Sequence, residues 1–453
     1  MPACAAYFEQ EKENILRDYF TFLRFATISA DPAYAPEMLK CADWLQQYLS
    51  DMGLNVELWP SEKGPVVFAS DLRAGPDKET LLLYCHYDVQ PVDPLEEWTS
   101  PPFEPTLREG KVYARGASDN KGQCFYTITA LKAFLKTFGQ FPLNIKFMIE
   151  GAEESGSAGL PALIEEKKAL LKADYLLIVD SGLSHPTTPA VTLGARGLVT
   201  LQATVKEGHF DLHSGFAGGL AYNPNRALVE MLAKLYDAQG RVAIPGFYDA
   251  VVEISPQEKQ ELSFDFDEEA FHKLFGFKPT GMERGVSPAE ANTLRPTIEI
   301  NGIWGGYIKA GFKTVIPAEA CAKISCRLVP NQTPEKIAEL VTDFLIQNTP
   351  PGLHTEVEIF SGNGRGFRTP AHSHIAKLMA TSYSQVFEKP AQKILIGGTI
   401  PISIELSQAA QAEMVLVGVG LADDRIHAPN EHFGLDRFEK GFLTICRAIE
   451  LFR

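Results

Sequence analysis

The residues of this chain that could do chemistry are imidazoles and carboxylates, and they stand where apolar runs give way to turns. In LLLYCHYDVQPVD an apolar strand ends in His86, with Asp88 two residues on. In an extended chain those two side chains point the same way, so the Asp88 carboxylate can accept one imidazole N–H and fix the tautomer of a metal-binding histidine. In ARGASDNKGQCF a Gly-rich turn carries Asp119 into a helix, which by itself reads as an N-cap. In FMIEGAEESGSAG a strand is followed by the adjacent carboxylates Glu153 and Glu154. Two such groups after a buried strand repel one another and lose hydration, a cost that a cation offsets. Their side chains diverge, so one can hold metal while the other faces substrate and water. Asp180 ends a further apolar strand in DYLLIVDSG, and DDRIHAPNEHF offers His427 and His432. Pro429 between them argues against a helical histidine pair, so one is expected as a ligand and the other as a structural residue.

Nitrogen and oxygen donors without thiolate suit zinc, manganese or cobalt in an open, catalytic site better than a structural zinc site. His86, Asp119, the Glu153–Glu154 pair, Asp180 and His427 supply two imidazoles, three carboxylates and a spare acid. That set fits two divalent ions sharing one bridging carboxylate.

The elements that must position these residues follow from periodicity. Up to about residue 190, helix-like stretches (9–25, 37–51, 122–137) alternate with short apolar runs (65–69, 81–85, 145–149, 175–179). This is the α/β pattern of strands covered by helices on both faces. Between about 196 and 368, longer β-like segments (198–205, 297–302, 320–328, 354–360) are separated by helical stretches at 225–236 and 333–347, as expected for an inserted α+β domain. After residue 369 the α/β rhythm returns with a helix at 373–387, a strand at 414–419 and a helix at 436–452. The expected organisation is therefore a discontinuous catalytic domain, 1–195 with 369–453, and an inserted domain, 196–368.

Composition narrows the function classes. A chain of 453 residues with 45% hydrophobic and 22% charged residues is long enough for two globular domains. A net charge of −15 disfavours a phosphate backbone as partner, so nucleic acid is not expected. No apolar run approaches the roughly 18 residues of a membrane span. The first residues lack the basic and apolar regions of a secretory signal, and seven cysteines without a CxxC pair read as reduced thiols, which together point to the cytoplasm.

Taken together, HYDVQPVD, WTSPPFEP, ARGASDNKG, the EESGS turn, DLHSG, TVIP, RLVPNQ, GGTIP and IHAPNE give a sequence that resembles the M20 family of metallopeptidases, in its dipeptidase branch. The resemblance spans nearly the whole chain. It implies a zinc-peptidase-like α/β domain with an inserted, ferredoxin-like lid and dimerisation domain, and hydrolysis of the amide bond of dipeptides or similar small peptides. It implies that His86 and Asp180 bind one metal, Glu154 and His427 the other, that Asp119 bridges them ahead of a cis peptide to Asn120, and that Glu153 is the general base. It further implies that His213 of DLHSG reaches the active site of a partner subunit in a homodimer, and that Arg327, Thr314 and Thr399 hold the substrate's terminal carboxylate. His185, His209, His272, His354, His372 and His374 match no motif, and Cys85 reads as packing. The sequence departs from close dipeptidase relatives at Ile396, where an acidic residue often reads the free substrate amine. That departure keeps N-acyl or N-carbamoyl amino acids open as substrates, and a silent, metal-binding homologue stands as the reading of another class.

Overall fold

The computed structural model describes residues 2–183, 185–398, 400 and 402–453. These form a nine-stranded mixed sheet in the order Asn55–Trp59, Val66–Asp71, Asn144–Glu150, Thr80–His86, Tyr175–Val179, Glu413–Val417, Ala190–Ala195, Phe367–Arg368, with Gln392–Ile396 paired onto Ala190–Ala195. The four central strands, from Asn144–Glu150 to Glu413–Val417, run parallel. Every residue of Asn144–Glu150 and Tyr175–Val179 is buried, as strands sandwiched between helix layers must be. On one face lie the helices Pro2–Arg24, Ala35–Asp51, Lys121–Phe138, His374–Phe387 and Leu435–Glu450, whose shared core includes Tyr19, Phe22, Phe125 and Phe438. Helices Leu160–Leu171 and Ser403–Ala410 cover the other face through Leu160, Ile164 and Leu406.

A second, four-stranded antiparallel sheet has the order Thr297–Gly305, Glu319–Leu328, Gly197–Lys206, His354–Ile359. Helices Pro224–Ala233 and Pro334–Gln347 pack on one of its faces around Val199, Leu201, Met231, Ile324 and Val341. The strand–helix–strand–strand–helix–strand succession with this order is ferredoxin-like. Gly197–Lys206 alternates buried and half-buried residues along its whole length, which leaves the face away from the helices open. Between the first of these helices and Thr297–Gly305 runs an irregular stretch with three short helices, Pro256–Glu261, Glu268–Phe275 and Pro288–Thr293, which the periodicity does not reveal.

Candidate dinuclear metal centre

Parallel strands align their C-terminal ends, and ligands collect there. His86 is the last residue of its strand, Asp180 follows Val179 directly, and the Glu153–Ser155 turn lies just beyond Glu150. Asp119 comes from the turn before the helix that starts at Lys121. That turn is so tight that a Cβ on Gly122 would lie 2.0 Å from the Ala117 carbonyl oxygen, which explains the glycine there. The Asp119–Asn120 peptide is cis.

Two groups of donors result. His86, Asp119 and Asp180 offer one ligand atom each within 4.8 Å of one another, and Asp119, Glu154 and His427 do the same. Asp119 belongs to both, and Glu153 to neither. Nε2 of His86 lies 3.2 Å from Asp119 Oδ1 and 3.8 Å from Asp180 Oδ2, while Nε2 of His427 lies 3.0 Å from Asp119 Oδ2 and 3.2 Å from Glu154 Oε2. His86 Nε2 and Glu154 Oε1 are buried without a hydrogen-bond partner among the described residues. Of the nine buried side-chain atoms left unpaired among the described residues, these two face other nitrogen and oxygen donors of the same groups, an arrangement that fits divalent cations.

Electrostatics agree. Burial, reinforced by Asp180, Glu154 and Asp119 and opposed by His86, holds the Glu153 carboxyl well above the ordinary carboxylate range. Burial and then Asp119 push Asp180 up to about 7. Hydrogen bonds to Asp119 and Glu154 raise His427 to about 10.

The supports of the ligands are more specific than the sequence suggests. His86 Nδ1 lies 3.1 Å from the backbone carbonyl of Asp88 and 3.3 Å from its carboxylate. The carbonyl therefore shares in setting the tautomer, and Nε2 is left facing the acids. The Asp88 carboxylate also accepts the amides of Glu153 (3.2 Å) and Glu154 (3.0 Å) and the Ser29 hydroxyl (2.6 Å), so it clamps the turn that carries both glutamates. Asn120 donates to Asp180 Oδ1 at 2.9 Å. Gln90 donates to Glu154 Oε2 at 2.7 Å.

Glu431 received no role from the sequence. It is fully buried and accepts the amides of Gly116 (2.9 Å), Ser118 (2.9 Å) and Asp119 (3.0 Å), with Arg115 Nη1 at 2.8 Å. It ties the chain just after His427 to the turn of Asp119. Its only sequence signal is its place in IHAPNE. Replacing Glu431 by Gln turns one acceptor oxygen into a donor facing donors, and the expected result is a loss of divalent-metal affinity of about 10- to 100-fold. Competition with a fluorescent chelator measures it; a variant that is merely less heat-stable, with affinity intact, refutes the positioning role.

His432 is the structural member of its pair: Nδ1 meets the Asn430 carbonyl at 3.1 Å, and Nε2 meets Lys111 at 3.1 Å. His427 sits in a turn with φ of 59°, not in a helix.

Other sequence-derived candidates lie elsewhere. His213 and Thr314 face each other across the short pair of strands Leu212–His213 and Val315–Ile316, with Thr314 Oγ1 3.5 Å from His213 Nε2. Both are exposed, and neither is in the two donor groups. Gly215 donates to His213 Nδ1 at 2.9 Å, so the ring proton sits on Nε2. Arg327 is half-buried on the open face of the second sheet. Thr399 lies outside the described residues. Ile396 ends the strand Gln392–Ile396, half-buried.

The model of peptidase family M20/M25/M40 matches residues 82–451, a stretch that holds every member of both donor groups. The chain belongs to this family. It is 29% identical to the Cys-Gly metallodipeptidase dug1 of Schizosaccharomyces pombe over 97% of this chain and 95% of that protein. It is 32% identical to the Beta-Ala-His dipeptidase of Homo sapiens over 81% of this chain and 73% of that one. Among solved structures, an M20 family metallo-carboxypeptidase from Sulfolobus solfataricus superposes with a TM-score of 0.86 at 33% identity, covering 97% of this chain and 99% of the other. The M20 fold, a metallopeptidase domain with an inserted second domain, is thus the fold of this chain. No helix among the described residues is long and apolar enough to cross a membrane.

Proposed function

We propose that this M20 peptidase cleaves dipeptides, or peptides of similar size, at a two-metal centre held by His86 and Asp180, by Glu154 and His427, and by Asp119 between them. The observation that carries this is the pair of donor groups that share Asp119 beside a half-buried carboxyl, Glu153, that belongs to neither. Relatives named for Cys-Gly and Beta-Ala-His dipeptides support the substrate size. Divalent ions held there, zinc in our reading with manganese and cobalt also suited, would supply Lewis-acid chemistry, polarising a carbonyl and acidifying a water.

The chain's own residues do the rest. Glu153, whose carboxyl burial holds well above the ordinary carboxylate range, accepts the proton of the attacking water and hands it to the leaving amine. His213 presents Nε2–H to the carbonyl oxygen as negative charge grows there. Its exposed setting supports the view that it serves the site of a second copy. Phe216 (82% exposed), Leu220 (84%) and Phe312 (87%) lie close along the chain to His213 and Thr314, an exposed apolar set suited to a homodimer built through the inserted domain, for which we keep the limits 196–368. Arg327, Thr314 and Thr399 hold the free carboxylate. All seven cysteines are free and buried, which supports a reducing, cytoplasmic setting.

A second reading, hydrolysis of N-acyl or N-carbamoyl amino acids, rests on Ile396, which offers nothing to a substrate ammonium. Turnover of L,L-dipeptides, their N-acetyl forms and a tripeptide by zinc- or manganese-loaded protein separates the two. Cleavage of the free dipeptides establishes the dipeptidase; cleavage of acylated substrates alone moves the enzyme to acylase chemistry, and no cleavage of either removes both.

The metal proposal has its own readout. With its ring between two carboxylates and raised to about 10, His427 holds a proton at pH 7, and a metal ligand has to give it up. Metal binding at pH 7 is therefore expected to release protons, so that the heat of binding varies with the ionisation enthalpy of the buffer. A heat that is the same in every buffer contradicts His427 as a ligand.

A further inference from the structure

One buried ion pair has no part in the reaction as derived so far. Asp424 and Arg437 are both buried, and Arg437, in the first turn of the helix Leu435–Glu450, donates with its two terminal nitrogens to the two carboxylate oxygens of Asp424. The same guanidinium donates to the Val419 carbonyl at 3.0 Å and lies over the Phe433 ring, 5.0 Å from its centroid. These contacts fix the plane of the guanidinium, and the two-point pair fixes the carboxylate in turn.

Asp424 passes that fixed position on. Its Oδ2 also accepts the Leu421 amide at 2.8 Å and the Ser118 hydroxyl at 2.9 Å. Ser118 precedes Asp119, the residue shared by both donor groups, and Asp424 stands three positions before His427. One carboxylate thus grips the turn of Asp119 and the start of the His427 loop, two segments 306 residues apart.

The far end of that loop is gripped in the same way, by Glu431 and the amides of Gly116, Ser118 and Asp119. Between these anchors the chain takes a shape it does not prefer. Arg425, His427 and Asn430 have φ of 59°, 59° and 63°, in the left-handed region that disfavours residues with a Cβ. Such a loop persists only where its surroundings over-determine it. Asn430 adds a third tie, donating to the Glu97 carbonyl and accepting the Thr99 amide, both at 2.8 Å. The His427 ring itself is exposed, so its place is inherited from these ties.

We propose that Asp424 is a positioning residue for the donor group of Asp119, Glu154 and His427. Held by Arg437, and acting through Ser118 and Leu421, it sets how far the His427 loop stands from the Asp119 turn. The inference rests on the two-metal reading and adds the group that keeps the second set of ligands in register. A buried ion pair adds little net stability over well-packed apolar side chains, because lost hydration offsets the attraction, so its value here is geometric. His86 and Asp180 stand at the ends of strands, and the sheet places them.

Competition for zinc against a fluorescent chelator resolves the two binding steps, and His427→Ala marks the one that belongs to this group. In either orientation the amide of Asp424→Asn sets a donor against a guanidinium nitrogen, and that step is expected to weaken about 10- to 100-fold while the other moves less. Ser118→Ala leaves the ion pair whole and removes only its link to the turn, so it decides the matter even where Asp424→Asn does not fold. A loss of about tenfold in the same step is expected of it, with a changed visible spectrum of the cobalt-loaded protein, which reports the arrangement of donors around the ion. A Ser118→Ala chain that binds both zinc ions as the unaltered chain does, with the same cobalt spectrum and at most a lower Tm, overturns the positioning role and leaves the metal reading intact. An unaltered chain that binds no zinc sinks the metal reading and this role together.

Discussion

A Glu153→Gln enzyme is expected to lose about a thousandfold in kcat on a dipeptide while keeping both metal ions. Glu153 and its neighbour Glu154 leave the same turn in different directions; Glu154 meets His427 at 3.2 Å and belongs to a donor group, whereas Glu153 belongs to none. Loss of hydration first, and then Asp180, Glu154 and Asp119, raise its carboxyl against the pull of His86. A group so placed can accept a proton from water and return it, and an amide cannot. The amide keeps the shape and removes a negative charge, so the fold and the metals are expected to stay. Metal content by mass spectrometry, together with kcat, checks the two halves separately. Glu154→Gln supplies the contrast: there metal affinity is expected to fall first. Retention of more than a tenth of the turnover by Glu153→Gln, with metals in place, would mean that another group moves the proton.

Much of this centre is legible in the sequence because of how parallel sheets are built. A strand buried on both faces reads as an unbroken apolar run, so the polar residue that ends it stands out: His86 after LLLYC, Glu153 and Glu154 after FMIE, Asp180 after LLIV. The cis bond after Asp119 was implied by family resemblance and is present. What sequence does not disclose is partner choice. Asp88 reads as a hydrogen-bond acceptor for His86, but its carboxylate also holds the amides of a turn 65 residues away, and nothing local announces that. Glu431 looks like a surface acid beside an asparagine, yet it is buried against a turn 312 residues earlier. The strand Ala190–Ala195, AVTLGA, interrupts its apolar residues with Thr192 and Gly194, so it does not read as an unbroken apolar run.

The last expectation concerns whose His213 acts. If each site takes Glu153 from one chain and His213 from its partner, then Glu153→Gln and His213→Ala enzymes, each nearly inactive alone, restore activity when their chains are exchanged within one dimer. In the mixed dimer one site has both substitutions, and the other has the intact Glu153 of one chain and the intact His213 of the other. Equal mixing with random exchange makes half the dimers mixed, so activity is expected to reach about a quarter of that of the unaltered enzyme. An arrangement within one chain gives none, because each site of the mixed dimer then carries one lesion. The physical basis is the exposure of His213 and its absence from both donor groups: its side-chain hydrogen bonds among the described residues run to Gly215 and Thr314, and its imidazole carries its proton on Nε2. The exposed apolar set of Phe216, Leu220 and Phe312 makes a second check available. If two copies meet there, Phe312→Asp puts a charge in their contact and is expected to leave a monomer by sedimentation and to take the activity with it. A monomer that keeps full activity would return His213 to its own chain or remove it from the reaction.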